Sequence, residues 1–159
     1  AHERVLYEQV REDISSGSPS VQGVLDPILV DLPLVLQDVL ETHIGLVERY
    51  GFKIEPFGNG SYLIRGVPAL FGTSPSAGVF LETLEDLNVG KISGDREERL
   101  ICSLACHGAV RAGMPLVVDE MQGLIRQLEK CDQPNTCPHG RPTIVYMSAS
   151  TLERHFGRR

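Results

Sequence analysis

The feature that most constrains this chain is Phe57-Gly58-Asn59-Gly60, set between two apolar runs, Phe52 to Pro56 and Ser61 to Val67. An Asn-Gly pair suits the tight turn whose twist matches two antiparallel strands, so a hairpin is predicted here. Helix signals surround it. Pro33 to Tyr50 reads as a helix opened by a first-turn proline and closed by Gly51. Beyond Pro75 a helix is predicted to about Leu87, followed by a turn from Gly90 to Asp95. Glu97 to Ala112 reads as a long helix ended by Gly113, and Pro115 to Lys130 as another. Its Leu116, Val117, Met121, Leu124, Ile125 and Leu128 predict a buried stripe.

The ends of the chain are simpler. Residues 1–13 predict a short helix with Val5, Leu6 and Val10 on one apolar side. Ser15 to Ser20 is a linker of turn formers, and Val21 to Leu32 is extended, with Pro27 interrupting it. After an irregular stretch from Cys131 to Pro142, Thr143 to Met147 reads as a strand and Thr151 to Phe156 as a last short helix. This succession predicts an α/β (α+β) fold with mixed or antiparallel sheets rather than a doubly wound one. There is no internal repeat, and without a Gly-rich phosphate loop a nucleotide site is not expected.

With 159 residues, 42% hydrophobic and 23% charged, the chain can bury a sizeable core as one compact domain or two small lobes. Its longest apolar runs, such as Val67 to Phe71, fall far short of the roughly 18 residues a membrane span needs. No basic-then-apolar leader precedes them, so a soluble cytoplasmic protein is expected. A helix already in progress at Ala1-His2-Glu3 suggests a piece of something longer. The net charge is −6, with 16 acidic and 8 basic side chains in residues 1–100 against 5 acidic and 7 basic ones in 101–159. A negative chain gains little from neutralising phosphates, so action on DNA would require delivery by another protein.

Four cysteines without a leader argue for reduced thiols, serving as metal ligands or small core residues. In Cys137-Pro138-His139, Pro138 pushes Cys137 toward extended backbone, and alternate residues of an extended chain share a side. Sulfur and imidazole can therefore bind one ion together. Gly140 permits a sharp turn behind them, and Arg141-Pro142 follow. A buried cysteine beside a loop histidine explains an isolated C-x-H equally well. Cys102 and Cys106 lie one turn apart on one helix face, ~6 Å from each other, where cysteines are commonly core residues. His107 is rotated ~100° from Cys106 and would border a site that Cys106 faces. Glu3 offers a hard carboxylate, whereas Glu8, ~140° further round the helix, is expected beside the site or in solvent. His2-Glu3 fails as H-E-x-x-H because Leu6 holds the closing position, and Cys137 lacks the flanks of the zinc deaminase signature.

Together these residues resemble a known family. Cys137-Pro138-His139-Gly140-Arg141-Pro142-Thr143 looks like the CPHGRPT element of endonuclease-bearing bacterial MutL proteins, in their C-terminal domain. Ser103-Leu104-Ala105-Cys106-His107 is similar to S-x-A-C-[RK], and Phe156-Gly157-Arg158 to the terminal F-x-R. Ala1 to Glu8 is similar to the last eight positions of D-Q-H-A-(x)2-E-(x)4-E, whose Asp, Gln and His lie outside this sequence. His107 departs from the family's Arg or Lys.

The resemblance implies a metal site of Glu3, Cys106, Cys137 and His139, with Glu3 also catalytic in DNA nicking and His107, Arg141 and Arg158 bordering it. It implies Zn²⁺ at the thiol-bearing site and Mn²⁺ or Mg²⁺ for turnover. Gln22-Gly23-Val24-Leu25-Asp26-Pro27 is similar to the family's clamp-binding element, with Gln22, Val24, Leu25 and Pro27 in its motif positions; a plain edge strand would also accommodate Pro27. The partners implied are a second copy in a homodimer, the sliding clamp, double-stranded DNA and the mismatch-recognition protein MutS, with nucleoid association and no membrane. Two lobes are implied, 1–20 with 100–159 for dimerisation and metal, and 21–99 as an inserted external lobe. Two rival readings stand beside this one: a zinc-stabilised dimerisation module without catalysis, and a thiol-reactive redox protein.

Overall fold

A computed structural model of the protein describes residues 1–17, 19–71, 77–89, 96–111 and 113–157. The predicted hairpin is its centre. Strands β2 (Lys53–Gly58) and β3 (Ser61–Pro68) pair antiparallel, and Asn59 and Gly60 both take positive φ, 53° and 81°. These are the left-handed conformations a type I′ turn demands. Strand β1 (Val21–Asp31) joins the other side of β3, giving an antiparallel sheet in the order β1-β3-β2. The pairing jumps from Gly23↔Gly66 to Ile28↔Ile64, so residues 24–27 bulge from the ladder where Pro27 offers no N–H.

Helix α1 spans His2–Ser15 and α2 spans Leu34–Arg49. Gly51, at φ 99°, ends α2 as expected: its N–H reaches Glu48 O at 3.0 Å and the Phe52 N–H reaches Val47 O at 3.3 Å. A short 3₁₀ turn, Ala69–Phe71, leads toward α3 (Ala77–Val89), followed by α4 (Arg96–Gly108), α5 (Val118–Leu128) and α6 (Ala149–His155). The fold is mixed α/β, with one antiparallel sheet among the described residues, the antiparallel branch of the expectation. Among the described residues, no helix is long and apolar enough to cross a membrane.

One contiguous core gathers Leu6, Tyr7 and Val10 of α1, Leu40 and Val47 of α2, Ile64 of β3, Phe80 and Leu84 of α3, and Leu100 and Leu104 of α4. Phe52 sits at its heart, 5.3 Å from the Phe80 ring and 6.2 Å from that of Phe71. Where α1 crosses α4, Gly108 allows the approach: a Cβ there would collide with Leu70 and crowd Leu6.

Four expectations are corrected. Helix α4 stops at Gly108 because the Val110 N–H turns to His2 Nδ1, 2.9 Å away, instead of a carbonyl of the preceding turn. Helix α5 begins at Val118 rather than Pro115, the Val117 N–H being taken by the Glu120 carboxylate at 2.9 Å. Its stripe is not buried: Leu128 is, Leu116 and Leu124 are half-buried, and Val117, Met121 and Ile125 are exposed, since α5 lies at the periphery. Thr143 to Met147 forms no strand, because no sheet edge among the described residues lies beside it. The predicted turn from Gly90 to Asp95 lies outside the described residues, as does Arg158.

Candidate metal centre

The site begins with the local structure of residues 131–142. The Cys137 N–H donates to Arg141 O at 2.8 Å and the Gly140 N–H to Cys137 O at 2.9 Å, closing a tight turn with Gly140 at φ 80°. A bridge between Thr136 and Pro142 and the Thr143 N–H on Asn135 O brace its base. The Arg141 N–H points at Cys137 Sγ from 3.3 Å, the kind of hydrogen bond that compensates negative charge on a ligating sulfur. Sequence spacing predicted that Cys137 and His139 share a side, and this turn is the reason they do.

Glu3, in the first turn of α1, meets them from a distant part of the chain. Its Oε2 lies 3.4 Å from His139 Nδ1, and ligand atoms of Glu3, Cys137 and His139 all fall within 4.8 Å of one another. Zinc bonds of ~2.0–2.3 Å in a tetrahedron set ligand atoms ~3.3–3.8 Å apart, so a small closing movement would let this trio share an ion. One sulfur, one imidazole nitrogen and one carboxylate oxygen also make a chemically suitable donor set. Cys137 is buried, while Glu3 is half-buried and His139 exposed, which leaves the site open on one side.

Cys106 stands outside that trio, exposed on α4. Desolvation, followed by the negative charges of Glu3 and Asp86, raises its thiol pKa, so it lies within the field of the site. Cys102, one turn earlier, is a core residue, its thiol pushed up to about 11 by burial and then by Glu98.

His107 turns toward α3, its Nδ1 2.8 Å from Glu82 and its Nε2 3.3 Å from Asp86, which also accepts from the Ser103 hydroxyl at 2.8 Å. Arg141 is exposed beside Cys137. On β1, Gln22 and Val24 are half-buried, Pro27 is exposed, and Leu25 stands 97% exposed at the bulge.

Two residues of the neighbourhood have partners the sequence did not reveal: Arg4, which no motif singled out, and Glu8, which was expected beside the site or in solvent. Arg4 is 6% exposed, and its Nε donates to Thr136 O at 2.6 Å. Glu8 takes the Asp132 N–H at 2.7 Å and the Gln133 N–H at 3.2 Å. A charged residue on a helix is by default a surface residue, and nothing in α1 announces a partner more than a hundred residues away.

The model of the family described as "MutL C terminal dimerisation domain" matches residues 1–116. Proteins named "DNA mismatch repair protein MutL" match along nearly all of the chain. That of Methanoculleus marisnigri is 39% identical over 99% of this chain, that of Phenylobacterium zucineum 37% over 100%, and that of Paramagnetospirillum magneticum 39% over 100%. The chain spans about a quarter of the length of these relatives, 27%, 26% and 27% respectively. The family model matches residues 1–116 and these relatives align along nearly the whole chain, so the chain belongs to the MutL C-terminal dimerisation domain family.

Proposed function

We propose that this chain dimerises a DNA mismatch-repair protein and carries its metal-dependent DNA-nicking site. The observation that carries the reading is the convergence of Glu3, Cys137 and His139 from α1 and the 131–142 turn. Cys106 on α4 is the fourth donor of the proposal, reached by movement of its exposed thiol. Sulfur and imidazole favour zinc by softness, while carboxylate and phosphate oxygens suit manganese or magnesium for turnover. A divalent ion held there supplies Lewis acidity at a phosphodiester and lowers the pKa of water beside it. Glu3 carries the nicking role because it is the one carboxylate of the trio. Arg141, exposed next to Cys137, offers positive charge for a phosphate. His107, engaged by Glu82 and Asp86, is less free to do so.

All four proposed ligands come from residues 1–20 and 100–159, while the whole sheet lies within 21–99. This supports a dimerisation and metal lobe with 21–99 as an external lobe. The relatives' printed name supports mismatch repair, and the family's description supports a homodimer. The net negative charge supports delivery to double-stranded DNA by partners, a sliding clamp engaging Gln22, Val24, Leu25 and Pro27 and the mismatch-recognition protein MutS.

Nicking of supercoiled plasmid in Mn²⁺ tests the catalytic assignment. Glu3→Lys is expected to reduce nicking at least ~100-fold, in line with loss of a metal-borne catalytic function; unchanged nicking sinks it. A second reading, a zinc-stabilised dimerisation module without catalysis, is favoured by the single carboxylate of the trio. Bound zinc without nicking by the wild type would select it.

A further inference from the structure

Helix α1 does more than present Glu3. The next residue, Arg4, is nearly fully buried, with its Nε on Thr136 O, its Nη1 3.6 Å from Glu8 Oε1 and its guanidinium 5.1 Å from the centre of the Tyr7 ring. One turn further, the Glu8 carboxylate spans two successive backbone N–H groups, those of Asp132 and Gln133. The 131–142 turn is otherwise held largely by bonds to itself, between Cys137 and Arg141, Cys137 and Gly140, and Asn135 and Thr143. A turn of this size keeps Cys137 and His139 in fixed relation to each other. It does not fix them relative to Glu3.

We propose that Arg4 and Glu8 are positioning residues that latch the 131–142 turn onto α1 and so hold Cys137 and His139 against Glu3. This rests on the metal reading above and goes beyond it, because neither residue touches the site atoms. The chemistry of the two contacts is complementary. Glu8, a full acceptor, takes donors at the start of the turn, and Arg4, a full donor, takes a carbonyl next to Cys137; each is a charge-assisted hydrogen bond. Their mutual ion pair lies at helical i, i+4 spacing, so each side chain orients the other. With the latch closed, the third ligand is in place before an ion arrives. With it open, binding must also bring the turn back to α1, and the apparent affinity falls by the fraction closed.

The test combines amide exchange with cobalt binding on the whole 159-residue chain. In wild type the Asp132 and Gln133 amides are expected to be protected, and Co²⁺ to give a thiolate–cobalt absorption band. Glu8→Ala should expose both amides and weaken Co²⁺ roughly 10–100-fold, the range for groups supporting metal ligands. Glu8→Gln, which keeps one acceptor oxygen at the same reach but loses the second oxygen and the charge, should recover protection at one of the two amides and part of the affinity. Glu8→Asp, one methylene short, should not. The Gln variant recovering while the Asp variant fails distinguishes positioning from a general loss of fold, and this pair decides the matter if Glu8→Ala does not fold.

Wild-type exchange rates in Glu8→Asp, or unchanged Co²⁺ affinity with exposed amides, overturn the proposal. A wild type with protected amides and no thiolate–cobalt band overturns the metal reading instead, and with it what the latch positions.

Discussion

Tyr7 shows how one residue of α1 couples burial to charge. Its hydroxyl donates to the Glu98 carboxylate of α4, and burial, then that hydrogen bond, push its pKa from 10.0 up to about 12. Cys102 behaves alike, moving from 9.0 to about 11 through burial and the charge of Glu98. Both folded values lie above the unfolded ones, so the contribution is complete below pH 9 to 10 and is lost as pH rises through 11 to 12. The urea midpoint is therefore expected to fall steeply on alkaline titration. Tyr7→Phe should remove a late tyrosinate absorbance step; identical titration curves would show that Tyr7 is not its source. At this scale the sequence was partly legible. The closeness of Cys137 and His139 was legible because it is a local relation, although a tight turn closed on Gly140, not the extended backbone expected, produces it. The contacts of Arg4 and Glu8 were not, because their partners lie across the fold.

Among the elements, the hairpin and α2 were readable since their ends are written in backbone preferences: Asn59-Gly60 in left-handed geometry, Gly51 at a positive φ. The bulge of β1 is where an element gains a surface. Residues 24–27 leave the ladder and hold Leu25 out at 97% exposure, as a peptide offered to an apolar pocket would require. If the sliding clamp docks here, Leu25→Ala should weaken clamp binding roughly 10–100-fold, the loss of one well-buried leucine contact. Surface plasmon resonance on immobilised clamp measures it, and equal affinity removes β1 from that interface. Helix α5 shows the opposite lesson. Its apolar periodicity was correctly read, yet periodicity states only that a stripe seeks cover, and within this chain much of that stripe is left open.

For the whole molecule, the uncovered apolar surface is the main clue to assembly. Val117, Val118, Met121 and Ile125 on or beside α5, and Ile144 to Met147, are all exposed. A homodimer contact through this surface is the reading to test. Ile125→Asp should leave the monomer fold intact, since Ile125 is 56% exposed, while raising the dimer dissociation constant on the order of 100-fold by burying a charge. Sedimentation velocity reads the outcome, and a variant as dimeric as wild type excludes α5 from the contact. The sequence by itself determined the hairpin, the proline and glycine ends of α2, and the nearness of Cys137 to His139. Each rests on backbone preferences and hydrogen bonds spanning a few residues, which any fold must respect. Only the tertiary structure decided that α4 ends at Gly108, that among the described residues 143–147 has no strand beside it, and that Glu3 meets His139 while Glu8 grips the same turn. Those outcomes depend on α1 packing across α4, and so on which distant groups compete for the same donors and the same buried space.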